Sequence, residues 1–312
     1  MTALLLAVLA AAGPCVFWTQ GVGSTEDLRA AGITRICVPQ ELADTWKDAG
    51  LTIVPVTAAE ISGRESLPAP GVTARAGLAS PTRAPWIVAS GWRLLRRPAG
   101  RYIYTVPAGK GALAAAESVT YGADALLQID PADLTSVGAI LAAAAASSAD
   151  TLPLVADLAV VDDGSELTGE VMNLLARRNL LFAPVARGSS SYPLTIAVGS
   201  AAYPASDASD PSGFAQRIRA QVTDARRGLR IFGSEVVIGH LTGTATRARL
   251  HLVNYGGRDI EGLRVRVRGT FRSIAITLPG NERAEPMDAA LGDGATEFSI
   301  PRLGVYAVVD MK

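Results

Sequence analysis

The sequence predicts an α/β domain built on a parallel, barrel-like sheet, followed by a small antiparallel β-sandwich. Three observations predict it. Residues 152–185 read as strand, turn, helix, strand. Strand-like and helix-like segments alternate on both sides of that stretch, which implies parallel pairing. After Leu229 the apolar period changes from 3.6 to 2. The alternation is compatible with an irregular barrel or with an open, doubly wound sheet.

The central stretch is the clearest. Val155 to Val161 is an apolar, β-branched run of the kind buried on both faces of a parallel sheet. Asp162-Asp163-Gly164-Ser165 turns the chain, and Ser165 caps the helix that follows. Val171, Leu174 and Leu175 give that helix an apolar stripe, Arg177 and Arg178 suit its C-terminal dipole, and Asn179 ends it before the strand Leu180 to Val185.

From the N-terminus, Met1 to Ala12 is an apolar run resembling the core of a signal peptide, with Ala10-Ala11-Ala12 as a small-residue cleavage site. It is too short to span a bilayer, and no Lys or Arg precedes it. A leader over 1–13 would make the protein secreted or periplasmic; without cleavage it would be cytoplasmic. Strands follow at Val16 to Gly21, Thr34 to Pro39 and Leu51 to Val56, with helices at Ser24 to Ala31, capped by Ser24, and Glu41 to Ala49. Thr57 to Pro85, rich in Pro and Gly, shows no period and reads as a long irregular loop. After the strand Trp86 to Ser90, the link to Arg101–Val106 is too short for a helical crossover, so a hairpin or irregular excursion is expected.

Regular alternation then returns. Gly111 to Tyr121 is an alanine-rich helix, Ala123 to Ile129 a strand, and Asp130-Pro131 opens a helix over Asp133 to Ser147. Beyond the central stretch come a serine-rich loop at Gly188 to Ser191 and a strand at Leu194 to Val198. Asp210-Pro211 starts a helix carrying Phe214, Ile218 and Val222 on one face and ended by Gly228. About six alternating strands fill the remainder, so the domains divide as 14–228 and 229–312.

Composition narrows the function. Lys plus Arg and Asp plus Glu are 29 each, so no net field draws nucleic acid or an anionic membrane, and no later segment is apolar enough to span a bilayer. Basic residues cluster at Arg93, Arg96, Arg97 and Arg101, and at Arg264, Arg266 and Arg268, the latter on the outer face of a strand. Cys15 and Cys37 are the only cysteines. Neighbouring parallel strands rarely offer disulfide geometry, so two buried free thiols are expected. Only His240 and His251 are present, both in sandwich strands, which leaves no zinc site and no histidine relay. Pro107-Ala108-Gly109-Lys110-Gly111 lacks the Walker A spacing and reads as a tight turn. No cofactor fingerprint is present.

Carboxylates at strand ends remain: Glu60, Asp130, Asp157, Asp162 and Asp163. Asp130 and Asp163 are the candidate catalytic pair, one acid and one base or nucleophile, although a helix cap and a turn also explain them. Trp18, Gln20, Trp92, Arg93 and Tyr104 stand near strand ends, where rings and hydrogen-bonding edges suit a sugar.

The layout, with the strand Arg249-Leu250-His251-Leu252-Val253-Asn254-Tyr255 opening the sandwich, resembles glycoside hydrolases with (β/α)8 barrels and C-terminal β-sandwiches. The resemblance implies an exported protein that binds or hydrolyses carbohydrate at the C-terminal ends of the strands. The alternative is a non-catalytic carbohydrate- or protein-binding module of the cell envelope.

Overall fold

A computed structural model describes residues 13–73, 86–147, 150–188 and 191–312. The expected leader, most of the Pro-rich stretch after Thr73 and the centre of the serine-rich loop lie outside the described residues. Strands β1 (Cys15–Phe17), β2 (Arg35–Pro39) and β3 (Thr52–Val56) alternate with helix α1 (Thr25–Ala30) and a 3-10 segment at Gln40–Trp46. Helix α2 (Ala58–Ser62) and β4 (Glu65–Leu67) follow. The pair β5 (Gly71–Thr73) and β6 (Trp86–Val88), helix α3 (Gly91–Arg96) and β7 (Arg101–Thr105) come next. Helix α4 (Gly111–Thr120), β8 (Asp124–Gln128) and α5 (Leu134–Ala146) complete this part.

Six of these strands form one parallel sheet in the order β3-β2-β1-β8-β7-β4. The order is cyclic, that of a small barrel interrupted between β3 and β4. It is barrel-like rather than doubly wound, because each strand lies beside its chain neighbour and the first meets the last.

Two expectations fail here. Thr57 to Pro85 is not one irregular loop: Thr57 and Glu60 make a reciprocal capping box that starts α2, and β4 pairs in register with β7. Nor do β6 and β7 form a hairpin. β6 pairs with β5, and Gly91–Arg96 is helical. Ser24 also does not cap its helix; its Oγ accepts from Trp18 Nε1 at 2.8 Å.

The cysteines correct a further expectation. Cys15 and Cys37 form a disulfide. Phe17, not Cys15, is the register partner of Cys37, so the bridge runs diagonally between side chains on one face of β1 and β2. That offset gives a Cα–Cα distance of 5.8 Å, well within disulfide reach.

The crossover of the central stretch folds as read, except that its first strand begins at Leu158 rather than at Val155. Strand β9 (Leu158–Val161), helix α6 (Glu166–Arg177) and β10 (Phe182–Val185) form a parallel crossover, with Ser165 Oγ accepting from Thr168 N. Asn179, at φ +50°, turns the chain out of α6. With β11 (Thr195–Ile196), these strands make a separate three-stranded parallel sheet, covered by α6 and α7 (Pro211–Val222). The sheet separates because the start of the expected strand is diverted. Val155 N donates to Leu241 O, and Leu154 bridges to Thr242, both in the sandwich.

Nine antiparallel strands form the C-terminal region, more than the six expected: β12 (Leu229–Phe232), β13 (Val237–Gly243), β14 (Ala248–Asn254), β15 (Ile260–Arg268), β16 (Ile274–Thr277), β17 (Arg283–Ala284), β18 (Met287–Gly292), β19 (Ala295–Leu303) and β20 (Tyr306–Met311). They make two sheets, β12-β15-β19-β18 and β13-β14-β20-β16-β17, with Leu250, Leu252, Val265, Phe298 and Val309 buried between them.

The parallel and antiparallel regions share one core. Ile238, Val253, Tyr255, Tyr306 and Val308 of the sandwich pack with Tyr104, Leu127 and Ala115 of the α/β part. At this junction Glu117 of α4 is fully buried. Its carboxylate accepts from Ser90 N at 2.7 Å, Tyr104 OH at 2.6 Å and Tyr255 OH at 2.7 Å. Burial pushes this carboxyl above its ordinary range, and the three donors pull it part of the way back. Asn179 makes a second tie: its amide donates to Val237 O and accepts from Gly239 N, both on β13. A third is Asp157, before β9, which accepts from Gly228 N at 2.7 Å while its Oδ2 is enclosed without a partner. Burial raises the Asp157 carboxyl to about 6, against the opposing pull of Gly228 N–H, Arg268 and Arg227.

Two outcomes are expected. Tyr255→Phe removes one donor from Glu117 and should lower the unfolding free energy by about 1–3 kcal/mol in urea melts; an unchanged midpoint would make the hydroxyl dispensable. The folded state favours protonated Asp157, so that stabilisation is complete below the unfolded value near 3.8 and is lost as pH rises through about 6. Asp157→Asn should therefore flatten the stability curve between those limits, by up to about 3 kcal/mol. Parallel pH profiles for the two proteins would contradict this.

Candidate functional site

Side chains of the six-stranded sheet alternate between two environments. Val16, Trp18, Tyr102, Tyr104 and Leu127 point to the side covered by helices and sandwich. The opposite, concave side carries Cys15, Phe17, Cys37, Val54, Val56, Ile103 and Leu126. Its C-terminal rim is partly open: Thr105 is exposed and Gln128 half-buried, and they are register partners joined by a 3.1 Å bond between Thr105 Oγ1 and Gln128 Oε1. Gln20 and Asp130 continue the ends of β1 and β8 and are exposed and half-buried, respectively. In a parallel barrel-like sheet this rim is where ligands bind, because loops there vary without disturbing the strands.

The candidate carboxylates follow strands of different sheets. Asp130 follows β8 in the six-stranded sheet, whereas Asp163 follows β9 in the three-stranded one. Asp130 Oδ1 accepts from Ala132 N at 2.9 Å, and Asp163 Oδ1 from Ser165 N at 2.9 Å. Bonds from Ser165 hold the Asp163 carboxyl below its usual range, opposite to what a general acid requires. Glu60 is held by Thr57 in its capping box. Asp162 is gripped by Arg96, its two oxygens 2.6–3.0 Å from Nε and Nη2, and also accepts from Gly164 N. Asp157 stands before its strand rather than after it. The undescribed stretches contain no Asp or Glu.

Three of the rings proposed to stack on a sugar are enclosed instead. Trp18 is buried and donates to Ser24. Trp92 is buried, with the Arg93 guanidinium 4.2 Å from its ring centroid and Gly169 against its edge; a Cβ at 169 would come within 2.8 Å of the ring. Tyr104 is fully buried and committed to Glu117. Arg93 is turned to Trp92, which leaves Gln20 as the proposed binding residue that is exposed at the rim.

Sequence reasoning missed Asp133. Its carboxylate accepts from Gly109 N and Gly111 N at 2.9–3.0 Å, so an internal acid fills the donors of the Pro107–Gly111 turn that could have held a phosphate. Glu117 was missed too, although a lone carboxylate in an alanine-rich helix apolar on all sides was a usable signal. Among the described residues no cluster of His, Cys, Asp and Glu could hold a metal ion, and no helix is long and apolar enough to cross a membrane.

No family model and no curated protein matches the chain. Solved structures do. Alpha-L-fucosidase isoenzyme 2 from Paenibacillus thiaminolyticus is 10% identical with a TM-score of 0.55, over 85% of this chain and 68% of that one. A GH42 beta-galactosidase from G. stearothermophilus (8% identity, TM-score 0.38) matches over 64% of this chain and 50% of its own. The beta-galactosidase from Rahnella sp. R3 (9%, 0.39) matches over 96% and 60%. The chain thus spans about half to two thirds of these proteins. The fucosidase comparison carries the architecture: the fold is glycoside-hydrolase-like, a partial parallel (β/α) barrel followed by an antiparallel sandwich.

Proposed function

We propose that this protein binds carbohydrate at the C-terminal rim of its six-stranded sheet and does not hydrolyse it through a carboxylate pair. The observation carrying this reading is the make-up of the rim. Gln20, Thr105 and Gln128 offer neutral hydrogen-bonding groups, whereas the acids at the strand ends, Asp130, Asp162 and Asp163, are tied to backbone N–H groups or to arginine. Amide and hydroxyl side chains match sugar hydroxyls, and hydrolysis needs two carboxylates facing one bond. The fucosidase-like architecture makes fucosylated oligosaccharides the first ligands to try. Export is part of the proposal: the apolar N-terminal run and the Cys15–Cys37 disulfide both support an oxidising compartment.

Calorimetric titration with a panel of oligosaccharides that includes α-L-fucosides tests the reading. Saturable binding is expected, weakened at least about tenfold by Gln128→Ala or Gln20→Ala with no change in melting temperature. The same panel should show no turnover. Failure to bind any glycan would sink the proposal. Turnover abolished by Asp130→Asn or Asp163→Asn in a folded protein would replace it with an enzyme.

A further inference from the structure

The arginine run on β15 is not used by the rim and sits within a larger basic face. Leu263, Val265 and Val267 point into the sandwich core, so Arg264, Arg266 and Arg268 share its outer side. Arg230 of β12 lies directly opposite Arg266, and Phe232 opposite Arg264. The face continues into the segment before β12, where Asp224 gathers Arg219 of α7, the buried Arg227 and Arg230 of β12 at 2.6, 3.3 and 3.6 Å. Gly228 O accepts from Arg268 N, which fixes that segment beside the end of β15.

The acids are too few to balance this face. Glu297 is shared by Arg264 at 2.8 Å and Arg266 at 3.4 Å, and Asp224 by its three arginines. Asp157 is buried beneath, and Asp293 stands in the turn before β19. Arg266 is buried with its Nη1 enclosed and without an acceptor. Arg268 is exposed and makes no ion pair among the described residues. Like charges placed opposite one another on adjacent strands destabilise a sheet. In a protein of zero net charge, the surplus at this one place is a cost that a bound anion would relieve.

We propose that the outer face of the β12-β15-β19-β18 sheet binds an anionic polysaccharide, one bearing carboxylates or sulfates along its length. Arg264 and Arg268, four residues apart on β15, stand ~14 Å from each other on this face with the buried Arg266 between them, so two guanidinium forks reach solvent along one line. Such forks take planar carboxylates bidentately, and an extended polymer can meet both in succession. Phe232 is the aromatic of the row and is already covered by Arg230, 4.7 Å from its centroid. The row therefore lacks the succession of rings on which bases would stack, which favours a polysaccharide over nucleic acid. This surface is separate from the rim and does not depend on the rim's ligand.

Affinity electrophoresis of the full chain through gels containing polygalacturonate, chondroitin sulfate or neutral dextran provides the test, with melting curves recorded for every variant. The two anionic polymers should retard the protein and dextran should not, and added salt should release it. The double variant Arg264→Gln, Arg268→Gln should weaken retardation about tenfold, and Arg264→Lys, Arg268→Lys by less. Arg302→Gln, at the far end of β15 and β19, removes one charge elsewhere and should change little. Gln128→Ala should leave retardation intact, so failure at the rim and failure here can be told apart. Equal retardation of the native protein and the folded double variant would overturn the proposal. So would tighter binding of an oligothymidylate at the same ionic strength, which would assign the face to nucleic acid.

Discussion

A single buried carboxylate joins the pieces of this molecule. Glu117 takes hydrogen bonds from a backbone amide ahead of α3, a hydroxyl on β7 and a hydroxyl at the end of β14. Those donors come from parts of the chain that share no strand pairing with one another. A buried carboxylate is tolerated only when such donors replace its water, so the position of each part is constrained by the others. Asn179 and Asp157 repeat the device at lower stakes, each using a polar side chain to hold a backbone N–H across the same junction. The sandwich is consequently a wall of the first core rather than an appendage to it.

That arrangement also explains the state of the proposed site. The outward side of the six-stranded sheet is closed by helices and sandwich, which encloses Trp18 and Tyr104, while Trp92 is enclosed in the core of the three-stranded sheet. The inner side of the sheet is a second buried cluster of Cys15, Phe17, Cys37, Val56 and Leu126, and exposure is confined to the C-terminal rim above it, at Gln20 and Thr105. What the rim presents is amide and hydroxyl, with Asp130 doing the work of a cap. An architecture similar to that of the Paenibacillus fucosidase thus stands beside strand ends whose acids make local hydrogen bonds or ion pairs.

Much of the fold could be read from local signals. The crossover from Leu158 to Val185 was legible because Ser165 and Asn179 mark its helix at both ends. The sandwich was legible because alternation needs no knowledge of distant partners. The division of the parallel strands into two sheets was not, since it turns on Val155 pairing with Leu241, a contact 86 residues away in sequence. Helix α2 was hidden by the Pro and Gly around it, although Thr57 and Glu60 had the spacing of a capping box. The disulfide depended on a diagonal offset that no sequence spacing reveals. The site was least legible. Aromatic residues at strand ends look alike whether they face a ligand or a core, and which side the sandwich covers decides between them.

The place of β1 has a consequence for how the chain assembles. Its three residues lie in the middle of the sheet, between β2, about 20 residues on, and β8, about 110 residues on. During synthesis the first three strands can pair as soon as they emerge, but the other side of β1 stays an unpaired edge until β8 is made. An exposed edge invites pairing with other chains. The Cys15–Cys37 bridge fastens this short strand to the neighbour that arrives first. In an oxidising compartment it would keep the half-built sheet in register while the rest of the protein is still being made.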